Sequence, residues 1–195
     1  NNMWNQSDFL DNDEARNAVF SGIYLSTQWV PVNTTTDFYV FHKSDDGTAD
    51  FGPVRGDTSF VTLGTLWKGD PKKLGGFDYE MEMAWQTGEV SGRDLDAFAG
   101  HWALGYNWLK HSWKPRLAVQ YNYGTGDGDP NDGSIQTFQN LYPTNHMFYG
   151  FMDTTGWINM HNPQINLSFS PTAKLKVMID YHLYWMANTA DAWYR

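Results

Sequence analysis

Long stretches of the chain alternate apolar and polar residues with period two. The clearest runs from 77 to 86, where Phe77, Tyr79, Met81, Met83 and Trp85 alternate with Asp78, Glu80, Glu82, Ala84 and Gln86. Successive side chains of a strand point to opposite faces, so the two sets separate. A helix, turning about 100° per residue, would scatter the same apolar positions around its axis. The pattern repeats at 98–108, with Phe98, Trp102, Leu104, Tyr106 and Trp108 opposed to His101, Ala103 and Asn107. It repeats at 115–124, with Leu117, Val119, Tyr121 and Tyr123 opposed to Arg116, Gln120 and Asn122. After Pro163, Ile165, Leu167 and Phe169 oppose Gln164, Asn166 and Ser168. Along 175–186, Leu175, Val177, Ile179, Tyr181, Leu183 and Trp185 oppose Lys176, Asp180, His182 and Tyr184.

Three further strands precede these. Residues 16–30 form a strand of mixed faces that stops at Pro31. A turn from Pro31 to Thr34 leads into a strand ending at Lys43. After a polar loop over 44–58, a third strand covers 59–68. The apolar faces are long and end in aromatics, namely Trp85, Trp108, Tyr123 and Trp185. Bilayer-spanning strands of about 10 residues with aromatic girdles have this form. The strands of a soluble β-sandwich average nearer 5–6 residues.

The pattern predicts an all-β protein, an antiparallel up-and-down transmembrane β-barrel segment of about eight strands. It forms one unit over 1–195, with an outer loop at 1–15, strands at 16–123, a long outer loop at 124–156 and strands at 157–186. Short and longer connections alternate, as periplasmic turns and outer loops do. This rhythm sets the start of the first strand and the end of the chain at the outer face. The expectation is a contiguous piece of a larger barrel, truncated at both ends.

Composition narrows the classes. The chain carries 13 basic and 22 acidic residues, a formal net charge of −9, which argues against nucleic acid as a partner. With no cysteine, neither a disulfide framework nor a Cys-based zinc site is available. Aromatics make up 17%, including 10 Trp and 11 Tyr, which suits contact with outer-membrane lipid at the bilayer interfaces.

The polar faces supply the candidate pore-lining and substrate-binding residues: Asp78, Glu80, Glu82, His101, Arg116, Gln120, Asn122, Lys176, Asp180 and His182. Glu80 and Glu82 share a face at a separation of roughly 6.5–7 Å, which a hydrolase would accept. His101, Asp180 and His182 offer a relay, but no Ser or Cys nucleophile sits in a recognisable motif. Alternation alone generates such pairs, so the expectation is no enzyme and no cofactor. Asp127, Asp129, Asn131 and Asp132 begin like a calcium loop. Position 6 of that loop is Asp132 where Gly is wanted, and position 12 is Phe138 where Glu is wanted. A looser Ca²⁺ site is the remaining metal candidate, and turn chemistry is the alternative use of those residues.

One stretch carries a likeness. GTGDGDPNDGSIQTFQNLYPTNHMFYGFMDTTGW is followed by INM, by PTAKLKV and by DYHLYWMANTADAWYR. Together they resemble the C-terminal half of the alginate-export family of Gram-negative outer-membrane barrels. The likeness covers 115–195, and before that only the barrel rhythm and the TLG at 62–64. It implies a barrel of about 18 strands that lets an anionic polysaccharide cross passively, through a lumen rich in Arg and narrowed by a long loop. This chain departs from that pattern. Its clear inward faces carry Arg116 and Lys176 against Asp78, Glu80, Glu82 and Asp180, a wall that gives an anionic polymer little attraction.

The reading is an outer-membrane porin-type channel for passive diffusion of an anionic or neutral polysaccharide or a small solute. The alternatives are a barrel-embedded hydrolase and a soluble, aromatic-rich glycan-binding sandwich. Glu80→Gln separates the first two. A channel keeps its solute flux in a liposome-swelling assay, whereas a hydrolase using that carboxylate loses its activity.

Overall fold

The computed structural model describes residues 18–29, 34–51, 54–142, 145–150, 152 and 155–194. The predicted outer loop 1–15, the ends of the first predicted strand at 16–17 and 30, and the turn residues 31–33 lie outside them. The strands are β1 (Ala18–Trp29), β2 (Thr34–Phe51), β3 (Val54–Gly69), β4 (Phe77–Val90), β5 (Arg93–Asn107) and β6 (Arg116–Gly124). After these come β7 (Ser134–Ile135), a short helix α1 (Asn145–Tyr149), β8 (Met160–Thr172), β9 (Leu175–His182) and β10 (Trp185–Met186). Each long strand pairs antiparallel with its neighbour in sequence, from β1 through β6 to β8 and β9. The result is one open, up-and-down sheet.

Register settles the faces, because directly paired residues share a side. Glu82 pairs with His101, His101 with Asn122, and Asn122 with Asn162. Leu104 pairs with Val119 and Val119 with Ile165 on the other side. The apolar side has no second layer among the described residues. Leu117, Val119, Leu183 and Trp185 stand 45%, 55%, 47% and 48% exposed. A soluble monomer rarely exposes an apolar patch beyond a few hundred Å², so a sandwich core is not what this face serves. Its ends are aromatic. Trp85, Phe98, Tyr123, His161 and Trp185 run in contact along one end. Phe77, Tyr106 and Trp108 form contacts at the other end, where Trp113 stacks on Phe169. The indole of Trp85 donates to Asp96 at 2.7 Å, the wet-ended contact expected of an interfacial Trp.

Several predicted boundaries are corrected. The loop read over 44–58 is mostly strand, since β2 continues to Phe51 and β3 begins at Val54, with a register irregularity between Asp45 and Ala49. The connection read between the fourth and fifth strands shrinks to Ser91 and Gly92, both with positive φ (53° and 73°), between the paired Val90 and Arg93. That is a two-residue hairpin turn of the primed type. The long–short rhythm therefore rests on one long connection, the segment between β6 and β8. β8 starts at Met160, within the predicted 157–186, and includes Pro163 ahead of the alternation read from 164. The Pro163 carbonyl accepts from Leu183 at 3.1 Å, so its donorless nitrogen faces the break between β9 and β10. A proline is tolerated in a strand where no partner needs its N–H. That break also splits the last predicted strand, 175–186, in two.

Opposite responses on adjacent residues test the face assignment. Val119→Arg is expected to lower folding stability in lipid vesicles by about 2–4 kcal/mol, and Gln120→Arg by about 0.5–1.5 kcal/mol, the worth of the Gln120 bond to Asn166. Equal costs in urea titrations would contradict the sheet's orientation.

Candidate functional site

All ten sequence-predicted wall residues fall on the concave, polar face. Alternation alone carries Asp78, Glu80 and Glu82 there on β4, His101 on β5, Arg116, Gln120 and Asn122 on β6, and Lys176, Asp180 and His182 on β9. Nine of them border two adjoining spaces. A groove of about 840 Å³ is lined by Asp78, Glu80, His101, Arg116, Gln120, Lys176, Asp180 and His182 among others. A chamber of about 110 Å³ adds Glu82, capped by Phe148, Tyr149 and Trp157. The tenth, Asn122, is fully buried behind them as a linker in the wall.

The polar groups are knitted across strands. Asp78 takes a bidentate pair from Arg116, with Nε to Oδ2 at 2.8 Å and Nη2 to Oδ1 at 2.5 Å, and Asn107 also donates to it. This pair crosses β5 at Gly105, where a Cβ would lie 2.6 Å from Arg116 Nη2 and 2.7 Å from Asp78 Oδ1. The glycine leaves the room that the ion pair fills. Glu80 holds Lys68 at 3.1 Å and stands 4.0 Å from His101 Nε2. Glu82 accepts from the Tyr39 hydroxyl at 2.7 Å. An amide ladder continues the row: His101 Nδ1 lies 2.6 Å from Asn122 Oδ1, and Asn122 donates to Asn162 at 3.0 Å. Below it, Gln120 donates to Asn166 at 2.6 Å, and Asn166 to Asp180 at 2.7 Å.

These partnerships do not assemble the hydrolase alternatives. Glu80 and Glu82 bond different groups, Lys68 and Tyr39. His182 Nδ1 lies 2.8 Å from the Tyr184 hydroxyl, His101 sits against Asn122, and Asp180 bonds Asn166. The proposed His101–Asp180–His182 relay is therefore not formed among the described residues.

The described residues of the long connection, between β6 and β8, fold into the concavity. Its base is pinned to β5: Thr125 N donates to Phe98 O at 2.9 Å, and Phe98 N to Thr125 Oγ1 at 3.0 Å. β7 adds a parallel pairing of Ser134 and Ile135 with Asp94 and Leu95. Ile135 and Phe138 are buried with Phe60, Val90, Leu95, Ala97 and Ala99, and Trp157 packs against them. Each large side chain so buried contributes about 1.5–3 kcal/mol. Lower down, Gln86 bonds the loop backbone twice, donating to Gln139 O at 2.8 Å and accepting from Gln139 N at 2.7 Å. α1 is fastened at its end, where Gln164 donates to Phe148 O at 2.9 Å and Tyr184 to Tyr149 O at 2.6 Å.

Three of the four calcium candidates, Asp127, Asp129 and Asp132, accept backbone bonds in turns, and Asn131 takes part through its backbone N–H. Asp127 accepts from Asp129 N, Asp129 from Asn131 N, and Asp132 from Ser134 N, at 3.2, 3.1 and 2.8 Å. Asp–backbone bonds two residues onward are the geometry of Asx turns. The described residues hold no cluster of three His, Cys, Asp or Glu side chains able to grip a metal ion. Asp127 N and Thr137 Oγ1 both donate to Asp191, at 2.8 and 2.6 Å, which ties the loop to the segment after β10. Burial, with the nearby charges of Asp191 and Asp132, raises the Asp127 carboxyl above its ordinary range.

The sequence reading missed Lys68, Asp37, Tyr39 and Asn162. Asp37, Tyr39, Phe41 and Lys43 alternate with Phe38, Val40 and His42, but both sets contain aromatics, so the contrast between faces was weak. Register decides it, because Asp37 pairs with Leu66, which pairs with the inward Glu82.

A sheet apolar and aromatic-ended on its convex side, polar on its concave side, and filled by an inward loop defines a wall segment of a membrane β-barrel of the porin type. The family model for alginate export matches residues 3–195. The chain belongs to the alginate-export family, a transport family of the outer membrane and not a family of enzymes. No curated protein sequence matches it.

Gly105→Val is expected to lower stability by about 1.5–3 kcal/mol, the worth of hydrogen bonds to charged groups. In an Asp78→Asn, Arg116→Gln background the same change should cost less in urea titrations. An equal cost in both would separate the glycine from the ion pair.

Proposed function

We propose that the chain forms part of a bacterial outer-membrane channel that passes a polysaccharide or a small solute by diffusion, without covalent chemistry. Outer-membrane lipid meets the convex face, and the solute meets the polar groove. The observation that carries this reading is the position of the long connection, with Phe138 buried against the concave wall and Phe148 and Tyr149 capping the chamber over Glu80, Glu82 and His101. The polar groups of the wall are mostly paired with one another, which favours a fixed, wet surface that a solute slides past over one that holds it tightly.

In this reading the segment from Phe138 to Tyr149 narrows the pore. Its anchors, the double bond of Gln86 to Gln139 and the bonds of Gln164 and Tyr184 to α1, support a fixed constriction over a swinging lid.

Deleting 126–147 from the full barrel should raise single-channel conductance in planar bilayers. Unchanged conductance would count against the constriction.

A further inference from the structure

The concave face of β1–β3 carries a feature that the polar groove does not explain. Phe20 and Tyr24 of β1 and Tyr39 and Phe41 of β2 share the side of Glu82, since Tyr24 pairs with Tyr39 and Tyr39 with Gly64, which pairs with the inward Ala84. Adjacent rings are nearly parallel. Tyr24 and Tyr39 have centroids 5.9 Å apart at 5°, Tyr39 and Phe41 4.9 Å apart at 18°, and Tyr24 and Phe41 6.5 Å apart at 22°. Phe41 continues to Phe20 at 5.3 Å. Tyr142, from the inward loop, meets Phe20 edge-on at 5.1 Å and caps the row.

Two glycines explain the lie of the rings. A Cβ on Gly64 would fall 2.1 Å from Cζ of Tyr39, and one on Gly22 would fall 2.4 Å from Cδ1 of Phe41. Each ring rests over a position without a side chain. Tyr39 makes the floor, and Tyr24 and Phe20 remain 52% and 43% exposed above it. Hydroxyl and carboxylate groups border the lower end. Tyr24 donates to Asp37 at 2.6 Å and Tyr39 to Glu82 at 2.7 Å.

We infer that this aromatic row is a sugar-binding track for uncharged pyranose rings of a linear glycan. The inference rests on the channel reading above. A pyranose ring offers an apolar C–H face to an aromatic ring and hydroxyls to groups at the ring's edge, and the row supplies both. Its rings step along the wall from the loop toward Glu82, at spacings comparable with the repeat of linked sugars. Charge selects the occupant. Asp37 and Glu82 stand at the lower end, and the nearby cations Lys68 and Arg116 are bonded to Glu80 and Asp78. A uronate carboxylate passing there would meet like charge, whereas a neutral ring meets hydrogen-bonding partners; Lys43 stands at the opposite, loop end of the row, paired with Phe20 and 6.0 Å from the Tyr142 ring centroid.

The test is current block in planar bilayers containing the full barrel, with maltohexaose or cellohexaose added and an alginate hexamer of equal length as comparison. The neutral hexasaccharide is expected to block at lower concentration than the uronate. Tyr24→Ala and Phe20→Ala together are expected to raise its half-blocking concentration about tenfold, as loss of aromatic contacts predicts, with open conductance retained. Tyr24→Leu and Phe20→Leu keep apolar bulk without the ring and serve if the alanine barrel fails to fold. They are expected to weaken block in the same direction. Tyr181→Ala, on the convex face, should leave block unchanged. A conducting barrel blocked better by the uronate, or blocked equally well without the rings, overturns the track alone. A folded barrel that does not conduct overturns the channel reading beneath it.

Discussion

Backbone hydrogen bonding is the constraint on which the rest of this structure depends. In hydrocarbon there is no water to satisfy a stray N–H or C=O, and each unsatisfied group costs several kcal/mol. The chain meets this with one antiparallel ladder in neighbour order from β1 through β6 to β8 and β9, with register irregularities between Asp45 and Ala49 and between Phe169 and Thr172. Once the ladder is set, every side chain has one of two addresses, lipid or lumen. The two prolines of β8 sit where pairing is interrupted, Pro163 beside the break between β9 and β10 and Pro171 within the register irregularity between Phe169 and Thr172. The two-residue turn at Ser91–Gly92 continues the twist of its flanking strands.

The lumen follows from the same rule. Polar side chains assigned to the concave face must find partners there, and the register brings complementary groups side by side. Arg116 reaches Asp78 over Gly105, and His101 reaches Asn122 across one pairing. Glycine recurs wherever a large group crosses a strand, beneath Arg116, Tyr39 and Phe41. The inward loop obeys a different force. It buries Ile135 and Phe138 in a small apolar core on the concave face. Hydrophobic burial brings the loop inside, and amide bonds then hold α1 above the groove.

Much of the fold was legible in the sequence, and the failures have a common cause. The runs at 77–86, 98–108 and 115–124 could be read because one face meets lipid and the other meets water, so alternation is enforced. Residues 44–51 and 54–58 read as loop in the sequence although they are strand, since Ser44, Asp45, Asp46, Gly47 and Thr48 show no alternation. Strands of 18 and 16 residues exceed what a bilayer crossing needs. A strand longer than the crossing includes residues that no lipid contact requires to be apolar, and there the period-two signal is lost. The inward aromatic row was obscured for the opposite reason, because Phe38 and Val40 face lipid while Tyr39 and Phe41 face the lumen, and both sets look apolar.

The sequence by itself determined the class of protein, the strand faces through the middle of the sheet, and the ten polar residues of the concave wall. Those properties depend on which residues alternate, and alternation is local. Tertiary structure alone decided which acid meets which base, that Glu80 and Glu82 serve different partners, and that the loop enters the concavity instead of covering it. It also decided that Asp127, Asp129 and Asp132 accept backbone bonds within turns. Such facts depend on register between strands distant in sequence and on the route of a loop, and neither is written in the period of the pattern.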